Sequence, residues 1–300
     1  MIIGQDDCGA MAGGDMQVGF IGLGVMGKSM AGHLLQGGCS LQVFTRTRLS
    51  AEDLLREGAV WNDSPAVIAR QCDVIFTIVG FPQDVEEVYF GADGLVPSMR
   101  EGAILVDMTT SRPDLAKRIA TEARSRGGYA LDAPVSGGDK GARDATLAIM
   151  VGGDKDAFER VLPLFKLMGK NIVLQGLAGS GQYCKMCNQI TIASTMLGVC
   201  EAMAYAQKSG LDPSLVLQGI ASGAAGSWTL HNLAPRLLDG DYAPGFYVKH
   251  FIKDMMIAQE SARALGMETP GLDLALSRYR QLAELGYEDA GTQALFKLYG

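Results

Sequence analysis

Three glycines at positions 22, 24 and 27 give the spacing GxGxxG within Val18-Gly19-Phe20-Ile21-Gly22-Leu23-Gly24-Val25-Met26-Gly27. If a strand precedes this run and a helix follows it, each glycine has its own physical use. Gly22 permits a tight turn, Gly24 lets backbone approach a pyrophosphate, and Gly27 lets the helix lie close on the strand. The first turn of such a helix adds N–H groups without partners and the positive end of its dipole, which suit a phosphate. The predicted chemistry is dinucleotide binding by residues 22–27, with Leu23, Val25 and Met26 as the side chains between the glycines. A glycine turn with a purely structural purpose is the alternative.

The next run to read is Phe44-Thr45-Arg46-Thr47-Arg48. A site selective for a free ribose 2′-hydroxyl usually places Asp or Glu here, and this chain has neither. Arg46 is instead suited to a 2′-phosphate, with Thr47 or Arg48 as a further donor and Thr45 in the same turn. NADP is therefore the expected cofactor, with use of NAD left open. A solvated basic turn is the plainer reading of the same residues.

Open parallel sheets bind ligands beyond the carboxyl ends of their strands. Three loops of that kind carry polar groups or glycine: Gly80-Phe81-Pro82, Asp107-Met108-Thr109-Thr110-Ser111 and Asp132-Ala133-Pro134-Val135-Ser136-Gly137-Gly138. Pro82 lies in the first of these loops, as a candidate beside a cofactor, and Thr110 in the second. The last loop offers a hydroxyl and unhindered glycine amides, a nest for a carboxylate, and an ordinary turn is its alternative. Other signals are weaker. Cys184-Lys185-Met186-Cys187 is formally CxxC, but it has no second pair and sits in a helical run, so neither a metal site nor a redox motif is expected. His33, His231 and His250 have no arguable Ser or Asp partner, and His33 is expected to pack on the first helix. Ser136 lacks the Gly-x-Ser-x-Gly setting of a nucleophile.

The elements that must position these residues follow from periodicity. Short β-rich runs at residues 18–21, 41–44, 74–79, 104–106 and 147–151 alternate with helical stretches, including one opened by Ser64-Pro65 and one from Pro113 to Arg126. Such alternation implies right-handed crossovers and a mostly parallel sheet covered by helices on both faces, an α/β fold. After a last run at 171–174 the pattern becomes helical. The expected organisation is an N-terminal extension (residues 1–15), a Rossmann-like cofactor domain (16–178) and an all-helical domain for substrate binding and oligomerisation (179–300). Residues 182–209 predict one long helix joining the two.

Composition narrows the class further. The 300 residues are 48% hydrophobic and 20% charged, enough for a large core and unlike a disordered chain. A net charge of -7 offers no broad field for nucleic acid or anionic lipid, so neither partner is expected. The six cysteines are irregularly scattered and no secretory hydrophobic region opens the chain, which fits reduced thiols and a cytoplasmic location. Residues 190–206 are apolar but broken by Glu201 and short for a bilayer, so they read as a buried helix.

Four motifs in order, the glycine loop at 22–27, Asp132-Ala133-Pro134-Val135-Ser136-Gly137-Gly138, Gly181-Gln182-Tyr183-Cys184-Lys185-Met186-Cys187-Asn188 and Lys253-Asp254, resemble the β-hydroxyacid dehydrogenases. That group includes 3-hydroxyisobutyrate dehydrogenase and the glyoxylate/succinic semialdehyde reductases. The resemblance runs from Met16 to the C-terminus. It implies a Rossmann-like domain, a helical domain and an active site in the cleft between them. It further implies Lys185 as catalytic acid/base with Asn188 beside it, and residues at i and i+3 do share a helix face. By the same resemblance Ser136, Gly137 and Gly138 hold a substrate carboxylate. Thr110 lies near both nicotinamide and substrate, and Phe246, Lys253 and Asp254 close the site, with Lys253 also near the cofactor.

In reduction Lys185 would donate a proton to the developing alkoxide. Oxidation would need a neutral amine, and burial or a neighbouring cation such as Lys253 would have to favour that form. The chain departs from the family at Ala142-Arg143-Asp144-Ala145-Thr146-Leu147, where the common form has Gly before Thr-Leu, and this touches only turn geometry. The expected function is an NADP-preferring oxidoreductase of a small hydroxy acid and its aldehyde or keto acid, working as a homodimer or homotetramer. Imine reduction on the same scaffold and a non-catalytic NADP-binding module for partner recognition are the alternatives.

Overall fold

The structure is a computed structural model that describes residues 16–300; the expected N-terminal extension, residues 1–15, lies outside the described residues. The chain divides into two compact units, the first ending at Lys185 and the second comprising Met186–Gly300.

The first unit is built on a nine-stranded sheet. Its strands are β1 (Gln17–Ile21), β2 (Ser40–Phe44), β3 (Val60–Trp61), β4 (Val74–Thr77), β5 (Ile104–Asp107), β6 (Tyr129–Asp132), β7 (Val135–Ser136), β8 (Leu147–Gly153) and β9 (Gly169–Gly176). The first six strands are parallel in the spatial order β3-β2-β1-β4-β5-β6, the arrangement of a doubly wound dinucleotide-binding fold. β8 then joins antiparallel to β6 and β7, and β9 runs parallel to β8.

Alternation along the central strands explains why both faces are covered. Val18 and Phe20, Val74 and Phe76, and Ile104 and Val106 face one core with Met30, Ala31 and Leu34 of the helix Val25–Gln36 and Val161, Leu164 and Phe165 of the helix Lys155–Lys166. Ile21, Ile75 and Leu105 face the other, with Ile68, Val85, Tyr89, Leu115 and Ile119 from the helices Pro65–Gln71, Pro82–Phe90 and Pro113–Ser125. A strand buried on both faces reads as a continuous apolar run, which is why these strands stand out in the sequence.

β3, β6 and β7 go beyond the expected runs. β3 and β7 are two residues each, too short to show a period, and β6 has only Tyr-Ala-Leu before its terminal Asp132. One consequence corrects the reading of residues 132–138 as a loop throughout: Val135 and Ser136 form a strand paired with Ile149 and Ala148 of β8. The run at 74–79 also stops as a strand at Thr77. The Val79 N–H leaves the ladder for the Thr109 hydroxyl, 3.0 Å away.

The second unit is helical. The helix Ser180–Lys208, 29 residues and so about 43 Å long, begins in the first unit and continues into the second. Val248–Ala264 and Pro270–Leu282 are the other long helices, with shorter ones at Pro213–Ile220, Trp228–Asn232 and Ala234–Leu238. Met196, Cys200 and Met203 share a core with Phe251, Met255, Leu276 and Tyr279. The Tyr279 ring meets Phe251 edge-on at 5.0 Å, and its hydroxyl donates to the Thr292 carbonyl at 2.8 Å, fastening the C-terminal turns to the bundle. Among the described residues no helix is long and apolar enough to cross a membrane.

Candidate active site

β1, β2, β4, β5 and β6 end in register, with Ile21 beside Phe44 and Thr77, Thr77 beside Asp107, and Asp107 beside Asp132. The segments leaving these strands therefore emerge along one edge of the sheet, and the glycine loop is the first of them. Gly22 has φ +96°, and a Cβ there would lie 2.1 Å from the Ile78 carbonyl oxygen. A Cβ on Gly27 would lie 1.9 Å from the Gly22 carbonyl oxygen. At Gly24 nothing lies within 4 Å of the position a Cβ would take. Two glycines are thus demanded by packing, while Gly24 faces open space from the start of the helix Val25–Gln36. That helix has no side-chain cap and no acidic residue in its first turn, so its leading N–H groups remain for an anion. Leu23 is buried beneath the loop, Met26 is half-buried, and Val25 is exposed. This cradle fits the diphosphate of a dinucleotide.

Beyond β2, Thr45 is half-buried and Arg46 and Thr47 are exposed. The Arg46 Nη1 approaches Asp84 Oδ1 at 3.1 Å, with 83% of its side chain exposed. Asp84 also accepts from the Phe81 N–H at the start of the helix Pro82–Phe90, and Pro82 is buried in that first turn. Arg48, the other candidate donor, lies over the Trp61 ring at 5.3 Å.

At the ends of β5 and β6 two carboxylates are buried. Asp107 accepts from the Thr77 hydroxyl at 3.1 Å and the Thr109 N–H at 3.0 Å. Because Thr77 gives its proton to Asp107, Tyr89, 2.9 Å from the same oxygen, is left to donate to Thr77. Asp132 accepts from the Gly179 N–H at 2.7 Å and the Gln182 N–H at 2.8 Å, which secures the start of the long helix. Loss of hydration pushes both carboxyl groups up to about 6, against the opposing pull of these hydrogen bonds.

Gln182 is completely buried and bonds the segment around Thr110 from both sides: its Oε1 accepts from the Ser111 N–H at 3.0 Å and its Nε2 donates to the Thr109 carbonyl at 2.8 Å. One turn further along the helix, Lys185 is only 6% exposed, and its Nζ donates to the Val135 carbonyl at 2.8 Å. That bond sets the amine next to Ser136, which is followed by Gly137 at φ +132° and Gly138 at φ +64°. The first unit thus brings Lys185 to the 135–138 segment, and the helix carrying Lys185 to the segment around Thr110.

In the second unit Asn188 Nδ2 donates to Gln189 Oε1 at 2.7 Å, and the buried Gln189 donates through Nε2 to Asp254 Oδ2 at 2.6 Å. Lys253 Nζ lies 2.8 Å from the other Asp254 oxygen. His250, on the same helix, is held below its ordinary value by burial first and by the Lys253 charge second. Phe246 packs against Phe251 at 5.6 Å and makes no part of this chain of polar contacts. His33 is on the first helix as expected, and its Nε2 also reaches the Ala142 and Arg143 carbonyls at 3.0 Å each.

Asp107, Asp132 and Gln182 stand in the quoted motifs with no role assigned to them, and Gln189 stands in none; their bonds emerge only in the fold. The two aspartates could have been found as acids ending apolar strands. The glutamines carry no such mark, since a buried amide is recognisable only through the partners that the fold brings to it.

Comparison with known proteins agrees with this fold. The family model of the NAD-binding domain of 6-phosphogluconate dehydrogenase matches residues 17–176. The model described as NAD-binding of NADP-dependent 3-hydroxyisobutyrate dehydrogenase matches residues 179–299. The chain is 61% identical to the uncharacterized oxidoreductase YkwC of Bacillus subtilis over 94% of its own length and 98% of the relative's. It is 44% identical to 2-hydroxy-3-oxopropionate reductase of Escherichia coli over 85% and 87% of the two chains. The solved Mycobacterium tuberculosis 3-hydroxyisobutyrate dehydrogenase with L-serine superposes with a TM-score of 0.87 at 29% identity, covering 94% of this chain and 98% of that one. Fold and site define an NAD(P)-binding oxidoreductase with a doubly wound first domain and a helical second. The chain belongs to the β-hydroxyacid dehydrogenase family, whose members act on CH–OH groups.

Proposed function

We propose that this enzyme is an NADP-preferring reductase of a small aldehyde or keto acid, forming the corresponding hydroxy acid, in the cytoplasm. The observation that carries the reading is Lys185: an amine almost fully withdrawn from water that donates to the Val135 carbonyl beside Ser136, at the carboxyl edge of the sheet. The preference for NADP is supported by the absence of an acid after β2 and by Arg46, exposed on the turn that follows it.

When bound, the nicotinamide supplies or accepts a hydride. The helix N-terminus at Gly24 and Val25 would hold the diphosphate, Arg46 with Thr45 and Thr47 would hold the 2′-phosphate, and Pro82 and Thr110 would border the rest of the cofactor. Ser136 and the amides of Gly137 and Gly138 would bind the substrate carboxylate, which fixes the carbonyl relative to Lys185. Protonated Lys185 would give its proton to the carbonyl oxygen as that oxygen becomes a hydroxyl, and would take a proton back from solvent. Asn188, one turn on, would donate to the same oxygen. Lys253 would add a positive charge that favours an anionic substrate and cofactor, Asp254 would hold Lys253, and Phe246 would contribute an apolar contact.

The reading is tested by NADPH consumption with glyoxylate, succinic semialdehyde, methylmalonate semialdehyde and 2-hydroxy-3-oxopropionate. The last compound is the reactant named by the Escherichia coli relative. Turnover by the wild-type chain with at least one of these is the expected outcome. NADPH binding without turnover of any would leave a binding module.

A further inference from the structure

The Gln182 side chain has an environment that packing alone does not require. It is completely buried, and each end of its amide makes one bond to backbone on either side of Thr110, to the Thr109 carbonyl and the Ser111 N–H. Its own N–H is taken by Asp132. Thr109, one of the two residues it grips, is bonded in turn through its N–H to Asp107 and through its hydroxyl to the Val79 N–H. One residue on the long helix is therefore bonded to the segment that leaves β5 and to the last residue of β6, and Thr109 links that segment in turn to the one that leaves β4. Lys185 follows it by three positions, one helical turn along the same face.

We propose that Gln182 is a positioning residue for the reduction: it locks the spacing between Thr110 and the Lys185 amine. This rests on the assignment of Lys185 and Thr110 to the reaction. Asp132 fixes where the helix begins, and Asp107 and Val79 tether Thr109 to the sheet, but neither set of bonds joins the 109–111 segment to the helix, which leaves the two some freedom to shift against each other. The two amide bonds remove that freedom, because a primary amide is the neutral group that can accept from Ser111 and donate to Thr109 at once. A shift of about 1 Å between reacting groups is enough to cost on the order of 100-fold in rate. The helix and the loop would each remain folded without Gln182, so the consequence falls on kcat.

The test uses two variants of the full-length enzyme and a control. Gln182→Met keeps length and removes both bonds, and its kcat for NADPH-dependent reduction should fall about 10- to 100-fold. Its thermal midpoint should also fall, because the buried Ser111 N–H and Thr109 carbonyl lose these partners, so kcat is measured well below that midpoint, where the variant is folded. Gln182→Glu is nearly isosteric. Burial raises its carboxyl pKa, and the protonated form alone can both donate and accept. Its kcat relative to wild type should therefore recover as pH is lowered from about 8 to about 6. A Gln182→Met enzyme with wild-type kcat, or a Gln182→Glu ratio that stays flat with pH, would overturn the proposal. Lys185→Ala, run alongside, separates the two levels. If it retains turnover, the assignment of Lys185 fails; if it is inactive while Gln182→Met is not, only the positioning role fails.

Discussion

At the scale of single residues, the proposed preference for NADP rests on the turn after β2. Arg46 projects from the turn after β2, where Asp84 is its ion partner among the described residues, and 83% of its side chain is exposed to water. A 2′-phosphate brings more charge than one carboxylate, so Arg46→Ala should weaken NADPH binding by about 1–2 kcal/mol while leaving NADH binding within about 0.5 kcal/mol. Fluorescence titration of both cofactors reads this directly, and equal losses would remove Arg46 from 2′-phosphate recognition. A second residue concerns stability. Ala145, which replaces the family's glycine, has φ +52° and is the only non-glycine residue with positive φ among those described. The left-handed region costs a residue with a Cβ about 1 kcal/mol, and glycine gives part of that back through the entropy of the unfolded chain. Ala145→Gly should therefore stabilise by about 0.5–1 kcal/mol, seen as a higher denaturation midpoint. A lower midpoint would show that the turn is not strained.

At the scale of elements, strand ends carry the site, and two of them end in buried acids. For Asp107 the folded pKa of about 6 lies above the ordinary carboxylate value of 3.8. The folded chain thus binds a proton between those limits that the unfolded chain does not. Its contribution to stability is complete below about pH 4 and is lost as pH rises through about 6. In Asp107→Asn, which cannot titrate, the stability relative to wild type should move in favour of wild type by about 1–3 kcal/mol as pH falls from about 7 to about 4. Urea unfolding at several pH values measures it, and a pH-independent difference would show that burial does not shift this group.

Legibility in the sequence follows the same elements. β1, β4 and β5 could be read because burial on both faces makes them largely apolar, and the glycine loop because two of its positions admit no Cβ. The two-residue strands β3 and β7 could not, since pairing with longer neighbours defines them rather than any local period. Lys185 and Asn188 came only with the family's motif. Their supporting amides, Gln182 and Gln189, depend on partners 65 to 73 residues away in sequence.

At the scale of the whole molecule, one continuous helix runs from the first unit into the second: Lys185 closes the first and Asn188 stands three residues into the second. The first unit holds the cradle for the dinucleotide and the 135–138 segment beside the lysine. The second holds the Asn188-Gln189-Asp254-Lys253 chain of contacts. The glycine loop and the leading N–H groups of the helix Val25–Gln36 do not involve Lys185, so removal of the proposed proton donor should leave NADPH binding little changed. The most direct test of the account is Lys185→Ala, with NADPH binding and NADPH-dependent reduction of the aldehyde-acid panel measured on the same preparation. The account predicts a binding constant within about twofold of wild type and a kcat reduced by about 100- to 10,000-fold. Retained turnover in that variant would contradict it.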